Sequence, residues 1–198
     1  MNLAADQSPA NPVPPVSAAA LPPAEIRPAT TADLPAIVRI RNTAIEHSTA
    51  LWTHELIDLT IAASWLARAE SAGHLLAVAT VEGTVVAYAS YGPWRAYSGY
   101  RLTVDDSIYI DQGHHGRGIG LALMTTLISH ARGAGLHLMI ADIEAGNTAS
   151  IRLHERVGFE VTGTIRQIGT KFGQWLDLTI MSLRLNDADA PPVSPPYR

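Results

Sequence analysis

The chain has 198 residues, 47% of them apolar, which is enough for one well-buried core and too short for two ordinary domains with a linker. Fourteen Lys and Arg against 18 Asp and Glu leave a formal charge of -4, so no basic surplus advertises a nucleic-acid partner. With no Cys there is no disulfide scaffold, cysteine nucleophile or thiolate metal site, and no apolar run approaches the ~20 residues that span a bilayer, so the reading is a cytoplasmic protein without membrane or nucleic-acid partners.

Residues 1–24 hold six prolines and almost no charge, and are read as a disordered leader. Asn186 to Arg198 repeats that character as a flexible tail, which leaves a folded domain over 25–185. Within it, EIRPAT predicts a first strand, and Thr31 with Asp33 predicts a cap for a helix running to His47, with Pro35 in its first turn. A second helical pattern ends at Gly73. HLLAVATVEGTVVAYASYG reads as a hairpin turning at Glu82-Gly83, and 101–110 as a further strand. From Gly116 the period changes: Leu121, Met124, Leu127, Ile128 and Ala131 recur at helical spacing up to Gly133. A buried strand at 136–143, a short helix over ASIRLHERVG and two closing strands complete the order. The pattern predicts a single α/β (α+β) domain, a mixed sheet flanked by helices with no internal repeat.

The sharpest local signal is GHHGRGIG at 113–120, between a strand and a helix. Gly116, Gly118 and Gly120 let the backbone approach a ligand, and the free N–H groups at the helix start favour an anion such as a pyrophosphate. A plain glycine turn fits the same letters. The loop lacks the Lys-Ser/Thr ending of a Walker A motif. A dinucleotide site, with Asp142 as the acid some twenty residues on, fits poorly because several strands precede the loop. The eight His are dispersed, and adjacent His114-His115 are not the separated ligands of a zinc helix, so no metal is expected.

Together, HHGRGIG and NTASIRLHERVGFE at 147–160 resemble the acyl-CoA pyrophosphate loop and the following segment of the GCN5-related N-acetyltransferase superfamily. YGPWRAYSGYRLTVDDSIYI at 91–110 and GTKFGQWLDLTIMSLRL at 169–185 narrow the resemblance to the phosphinothricin and methionine sulfoximine or sulfone acetyltransferases. The likeness runs over about 25–185 and implies a sheet with a splayed strand pair. Acetyl-CoA would lie in that opening, its pantetheine against the main chain of Ile108, Tyr109 and Ile110. Its pyrophosphate would face His115, Gly116, Arg117, Gly118, Ile119 and Gly120. A main-chain N–H at the splay would stabilise the oxyanion of the thioester carbonyl. His115 stands where the family often has Gln or Arg, which makes Arg117 the more dependable cation. Asn147 and Ser150 match the family's CoA-contacting turn, and are equally ordinary helix caps.

The resemblance assigns deprotonation of the amine to Asp105, where family members usually carry Glu. The shorter arm argues for a water-mediated route or a shifted backbone. Asp106 is off the matched position. His154 matches the His of the phosphinothricin branch and is open between returning a proton to the CoA thiolate, binding substrate and capping local structure. Trp94, Arg95, Tyr97, Tyr100, Arg101 and Thr103 form an aromatic and cationic acceptor stretch, with Arg95 and Arg101 as carboxylate ligands and Trp52 closing the pocket. Phosphinothricin enzymes commonly carry Arg where Tyr97 stands, so the stretch looks more like the methionine sulfoximine and sulfone branch. Lys171, Phe172 and Trp175 share the tail motif without an assigned duty, core packing and subunit contact being equally open. The expectation is direct acetyl transfer to the α-amine of a small amino-acid analogue, in a homodimer. An acetyltransferase for a protein N-terminus or polyamine, and a non-catalytic acyl-CoA-binding module, are the competing readings.

Overall fold

The computed structural model describes residues 23–192. The leader reading up to residue 22 and the tail reading from 193 fall outside them. The elements are β1 (Glu25–Pro28), α1 (Leu34–His47), α2 (Leu59–Ala72), β2 (Leu76–Val81), β3 (Thr84–Pro93), β4 (Thr103–Ile110), α3 (Ile119–Gly133), β5 (Leu138–Glu144), α4 (Thr148–Arg156), β6 (Glu160–Lys171) and β7 (Gln174–Arg184). They build one mixed sheet in the order β1-β2-β3-β4-β5-β7-β6, antiparallel at every step except the parallel β4-β5 pair. The expected α/β architecture and element order are therefore present.

Local chemistry explains the boundaries. The β2-β3 turn puts Glu82 and Gly83 at φ 50 and 78, the left-handed pair that a two-residue hairpin demands. Ahead of α1 the capping partner of Asp33 is Thr30 rather than Thr31: the Thr30 N–H and hydroxyl both donate to the Asp33 carboxylate. Arg27 closes the same carboxylate with two bonds of 2.7 and 2.8 Å, and this pairing holds its pKa down at about 2. Asp58 caps α2 by accepting the Ile61 N–H, and Gly73 ends it at φ 67. On α3 the buried stripe is centred on Leu123, Met124, Leu127, Ile128 and Ala131; Leu121 is only half-buried, because that stripe continues back through Gly120 at helical spacing and leaves Leu121 at its margin.

Two cores lie on opposite faces of the sheet. Residues of α3, including Leu123, Met124 and Leu127, pack on Val104, Met139 and Ala141. Residues of α1 and α2, including Ile37, Ile40 and Leu66, pack on Val78, Val85 and Tyr88. At the end of β6, Lys171 is 2% exposed, and its ammonium donates to the carbonyls of Ile45 (2.6 Å), Ser48 (2.8 Å) and Leu51 (2.6 Å). Burial pushes its pKa down, while three carbonyls match the three N–H donors of the cation. The duty of Lys171, open in the sequence, is thus to tie the α1-α2 connection to the C-terminal hairpin. Replacing it by Met leaves three carbonyls without their donor. Lys171→Met is expected to cost about 2–4 kcal/mol in urea unfolding, with native secondary structure retained.

Candidate active site

The parallel strands β4 and β5 pair only at Thr103, Val104 and Asp105 against Leu138, Met139 and Ile140. Beyond that point they diverge, and a cavity opens between them, lined by Asp106 to Tyr109 of β4, Ala141 to Glu144 of β5, Ala50 of the α1-α2 connection, and Asn147, Ser150 and His154 of α4. Since β4 alternates, Asp105, Ser107 and Tyr109 look towards the α1 and α2 face, and Asp106, Ile108 and Ile110 towards α3 and α4.

Asp105 is half-buried and its pKa is pushed up to about 6. Burial is the main cause; the neighbouring Asp106 and Asp142 add to it, while Arg95 opposes it. The Asp142 carboxyl is raised too, chiefly by burial. Arg95 lies over the Trp94 ring at 4.7 Å, and Trp94 meets Tyr100 edge-on at 5.2 Å. The Trp94 indole N–H is buried with no acceptor among the described residues. Thr103 starts β4 and accepts the Trp94 N–H on its carbonyl.

On the other face, His154 and Asp106 have side chains 2% exposed and meet at 3.1 Å, Nε2 to Oδ2. The His154 Nδ1 donates to the Ser150 carbonyl at 2.8 Å. Burial opposes the imidazolium, but the Asp106 carboxylate outweighs it and raises the pKa of His154. Asn147 caps α4 by accepting the Ser150 N–H at 3.1 Å, so both residues serve the helix and line the cavity at once.

The glycine loop divides its labour. Gly116 and Gly118 take φ 73 and 78, and shape the turn that delivers the N-terminus of α3. Gly120 instead serves packing: a Cβ there would sit 3.1 Å from Leu153 and 3.3 Å from Ile110, so α3 can lie close to β4 only without one. His115 donates its Nε2 to the Ile110 carbonyl at 2.9 Å, which turns the imidazole back onto β4. Arg117, half-buried, donates to His114 Nδ1 at 2.7 Å, and Ile119 is buried at the start of α3.

None of the expected acceptor residues Trp52, Trp94, Arg95, Tyr97, Tyr100, Arg101 and Thr103 is among the residues that line the cavity, and Asp105 lies at its edge, one residue before the lining begins. Tyr97 and Arg101 stand furthest from the expectation: Tyr97 is 80% exposed, and Arg101 donates to the Pro192 carbonyl at 2.9 Å. Trp52 reaches the hairpin, where a Cβ on Gly169 would collide with its ring, and its indole N–H donates to the Thr49 carbonyl. Ala50, on the same connection, lines the cavity instead. Arg41 went unnoticed in the sequence. Its guanidinium lies 4.6 Å from the Trp65 ring and 5.4 Å from Tyr109, beside the cavity wall. Its place four residues after Ile37, on the apolar stripe of α1, was the available signal. Among the described residues, no group of His, Asp and Glu could hold a metal ion.

The acetyltransferase (GNAT) family model matches residues 37–159. The chain is 46% identical over 170 residues to the L-methionine sulfoximine/L-methionine sulfone acetyltransferase of Pseudomonas paraeruginosa, which covers 85% of this chain and 99% of the relative. Among solved structures it is similar to the acetyltransferase yncA of Salmonella typhimurium, determined with its cofactor acetyl-CoA, at 42% identity and TM-score 0.85, covering 86% of this chain and 99% of that one. It is also similar to the ribosomal-protein-alanine N-acetyltransferase of Brucella melitensis, at 47% identity and TM-score 0.79, covering 81% and 99%. With a family match across most of the domain and a strand pair parted where acyl transfer needs room, the chain belongs to the GNAT family and is an N-acetyltransferase.

Proposed function

We propose that the protein moves the acetyl group of acetyl-CoA onto the α-amine of a small amino-acid analogue, with methionine sulfoximine and methionine sulfone ahead of phosphinothricin. The observation that carries this reading is the parting of β4 and β5 immediately after Asp105, which leaves a carboxylate of raised pKa beside an open cleft. The Pseudomonas relative named for the two methionine analogues supports the choice of acceptor. Acetyl-CoA runs along Ile108 to Ile110, with its pyrophosphate at the loop from His115 to Gly120. Asp105 receives the proton of the incoming ammonium, directly or through water, and the neutral amine attacks the thioester without a covalent enzyme intermediate. Arg95, next to Asp105 and Asp142, binds the acceptor carboxylate, and Trp94 donates its indole N–H.

The protein works in this reading as a cytoplasmic homodimer. Phe172 and Trp175 are 50% and 67% exposed at the tip of the C-terminal hairpin, and Val161, Ile165 and Ile168 are exposed along β6, an apolar surface of the kind a second copy covers. No helix among the described residues is long and apolar enough to cross a membrane. A second reading, transfer to a protein N-terminus, is favoured by the similarity to the Brucella protein.

Thiol release from acetyl-CoA, with product mass confirmed, separates the two. Saturable acetylation is expected with methionine sulfone and methionine sulfoximine; turnover confined to an alanine-initiated peptide or to spermidine would overturn the small-acceptor assignment. Asp105→Asn should lower kcat by about 10²–10⁴-fold. Since the base must be ionised, kcat/KM should fall tenfold per pH unit below about 6. Arg95 holds that pKa down and Asp142 holds it up, so the acid limb should move to higher pH in Arg95→Gln and to lower pH in Asp142→Asn.

A further inference from the structure

Proton bookkeeping in this reaction requires more than one acid-base group. Asp105 takes the proton that makes the ammonium a nucleophile. After attack, the nitrogen of the adduct still carries one proton too many, and the departing sulfur needs one. His154, the residue that the family resemblance offers for this step, has no ring nitrogen to spare. Its Nδ1 donates to the Ser150 carbonyl at 2.8 Å and its Nε2 meets Asp106 Oδ2 at 3.1 Å. Asp106 is different. Its side chain is 2% exposed, it lines the cavity, and its second oxygen, Oδ1, is buried with no donor among the described residues. A buried carboxylate oxygen without a donor is costly, and is kept where a ligand supplies one.

Resting on the acetyl-transfer reading above, we propose that Asp106 is the second catalytic carboxylate, and that it carries a proton from the adduct nitrogen to the CoA sulfur while His154 positions it from behind. The amine lone pair forms the N–C bond. As the C–S bond breaks, its electron pair leaves on sulfur. The surplus proton on nitrogen passes to Oδ1 and from Oδ1 to the thiolate, so Asp106 begins and ends the cycle as a carboxylate. His154 holds Oδ2 from behind at 3.1 Å, which leaves Oδ1 facing the cavity. The other titratable groups that bear on Asp106 are Asp105 on its own strand, Asp142 on β5 and Tyr109 on β4. Beside these groups, His154 is the one cation, and it is the one in direct contact with the carboxylate.

Asp106→Asn decides the matter, because an amide can still bond His154 through its N–H₂ and offer Oδ1 as an acceptor, but cannot carry a proton. Wild-type turnover of methionine sulfone is measured first; its failure would sink the acetyl-transfer reading itself and is distinguishable from failure of the present one. With wild-type turnover in hand, Asp106→Asn is expected to lose about 10²-fold in kcat while the KM for acetyl-CoA and the melting temperature stay near wild type. A kcat within about threefold of wild type, as a merely structural pair would give, overturns the proposal. So does a loss matched by weaker acetyl-CoA binding in calorimetry, which would make the pair a cofactor contact only. His154→Gln removes the cation that holds Oδ2 and should lower kcat while the KM for acetyl-CoA stays near wild type; an unchanged kcat overturns its positioning role.

Discussion

The site depends on the brevity of one strand pairing. Two parallel strands that begin in register would ordinarily continue to pair, because each further residue satisfies backbone N–H and C=O groups that are expensive to bury alone. Here β4 and β5 separate after Asp105 and Ile140. The far side of each is nevertheless held: β4 stays paired with β3 to Ile110, and β5 with β7 from Leu138 to Glu144. The gap is therefore framed by a paired strand on each side, and the inner edges of β4 and β5 are left to whatever enters it.

Alternation along β4 then divides the chemistry. Adjacent aspartates on one strand face opposite sides of the sheet, so Asp105 sits among Asp142 and Arg95 while Asp106 is locked against His154. The two carboxylates differ in what balances them. Asp105 is desolvated and raised, as a base required near neutral pH should be, whereas Asp106 has a buried imidazole in direct contact. The nearby Asp106 and Asp142 carboxylates add to the burial that opposes ionisation of Asp105.

Two remote features keep the cleft in shape. Lys171 ties the connection that carries Ala50 and Trp52 to the far end of the hairpin, and Gly169 leaves space for the Trp52 ring. Gly120 lets α3 settle against Ile108 and Ile110, so the helix start and the cleft are fixed to the same strand. None of these residues contacts the reacting atoms in the proposed reaction, and each of them sets where a contacting residue stands.

Much of this was legible in the linear order. Hydrophobic period and turn residues are local properties, so the hairpin at Glu82-Gly83, the amphipathic α3 and the alternating β4 could be placed without the fold. The glycine loop with its downstream Asn-Thr-Ala-Ser segment identified the family for the same reason, since an anion-binding turn is built from consecutive residues. What the sequence could not decide was which distant groups share an environment. Nothing in Lys171 announces three carbonyls from the α1-α2 region, nothing in Tyr97 or Arg101 announces a position outside the cavity, and Asp106 looked like the idle member of an acidic pair until His154 met it across 48 residues of chain. Composition, period and motif determined the kind of fold and the family by themselves. Only tertiary packing decided charge state and partnership, because desolvation and hydrogen bonding depend on neighbours that the chain brings together after it folds.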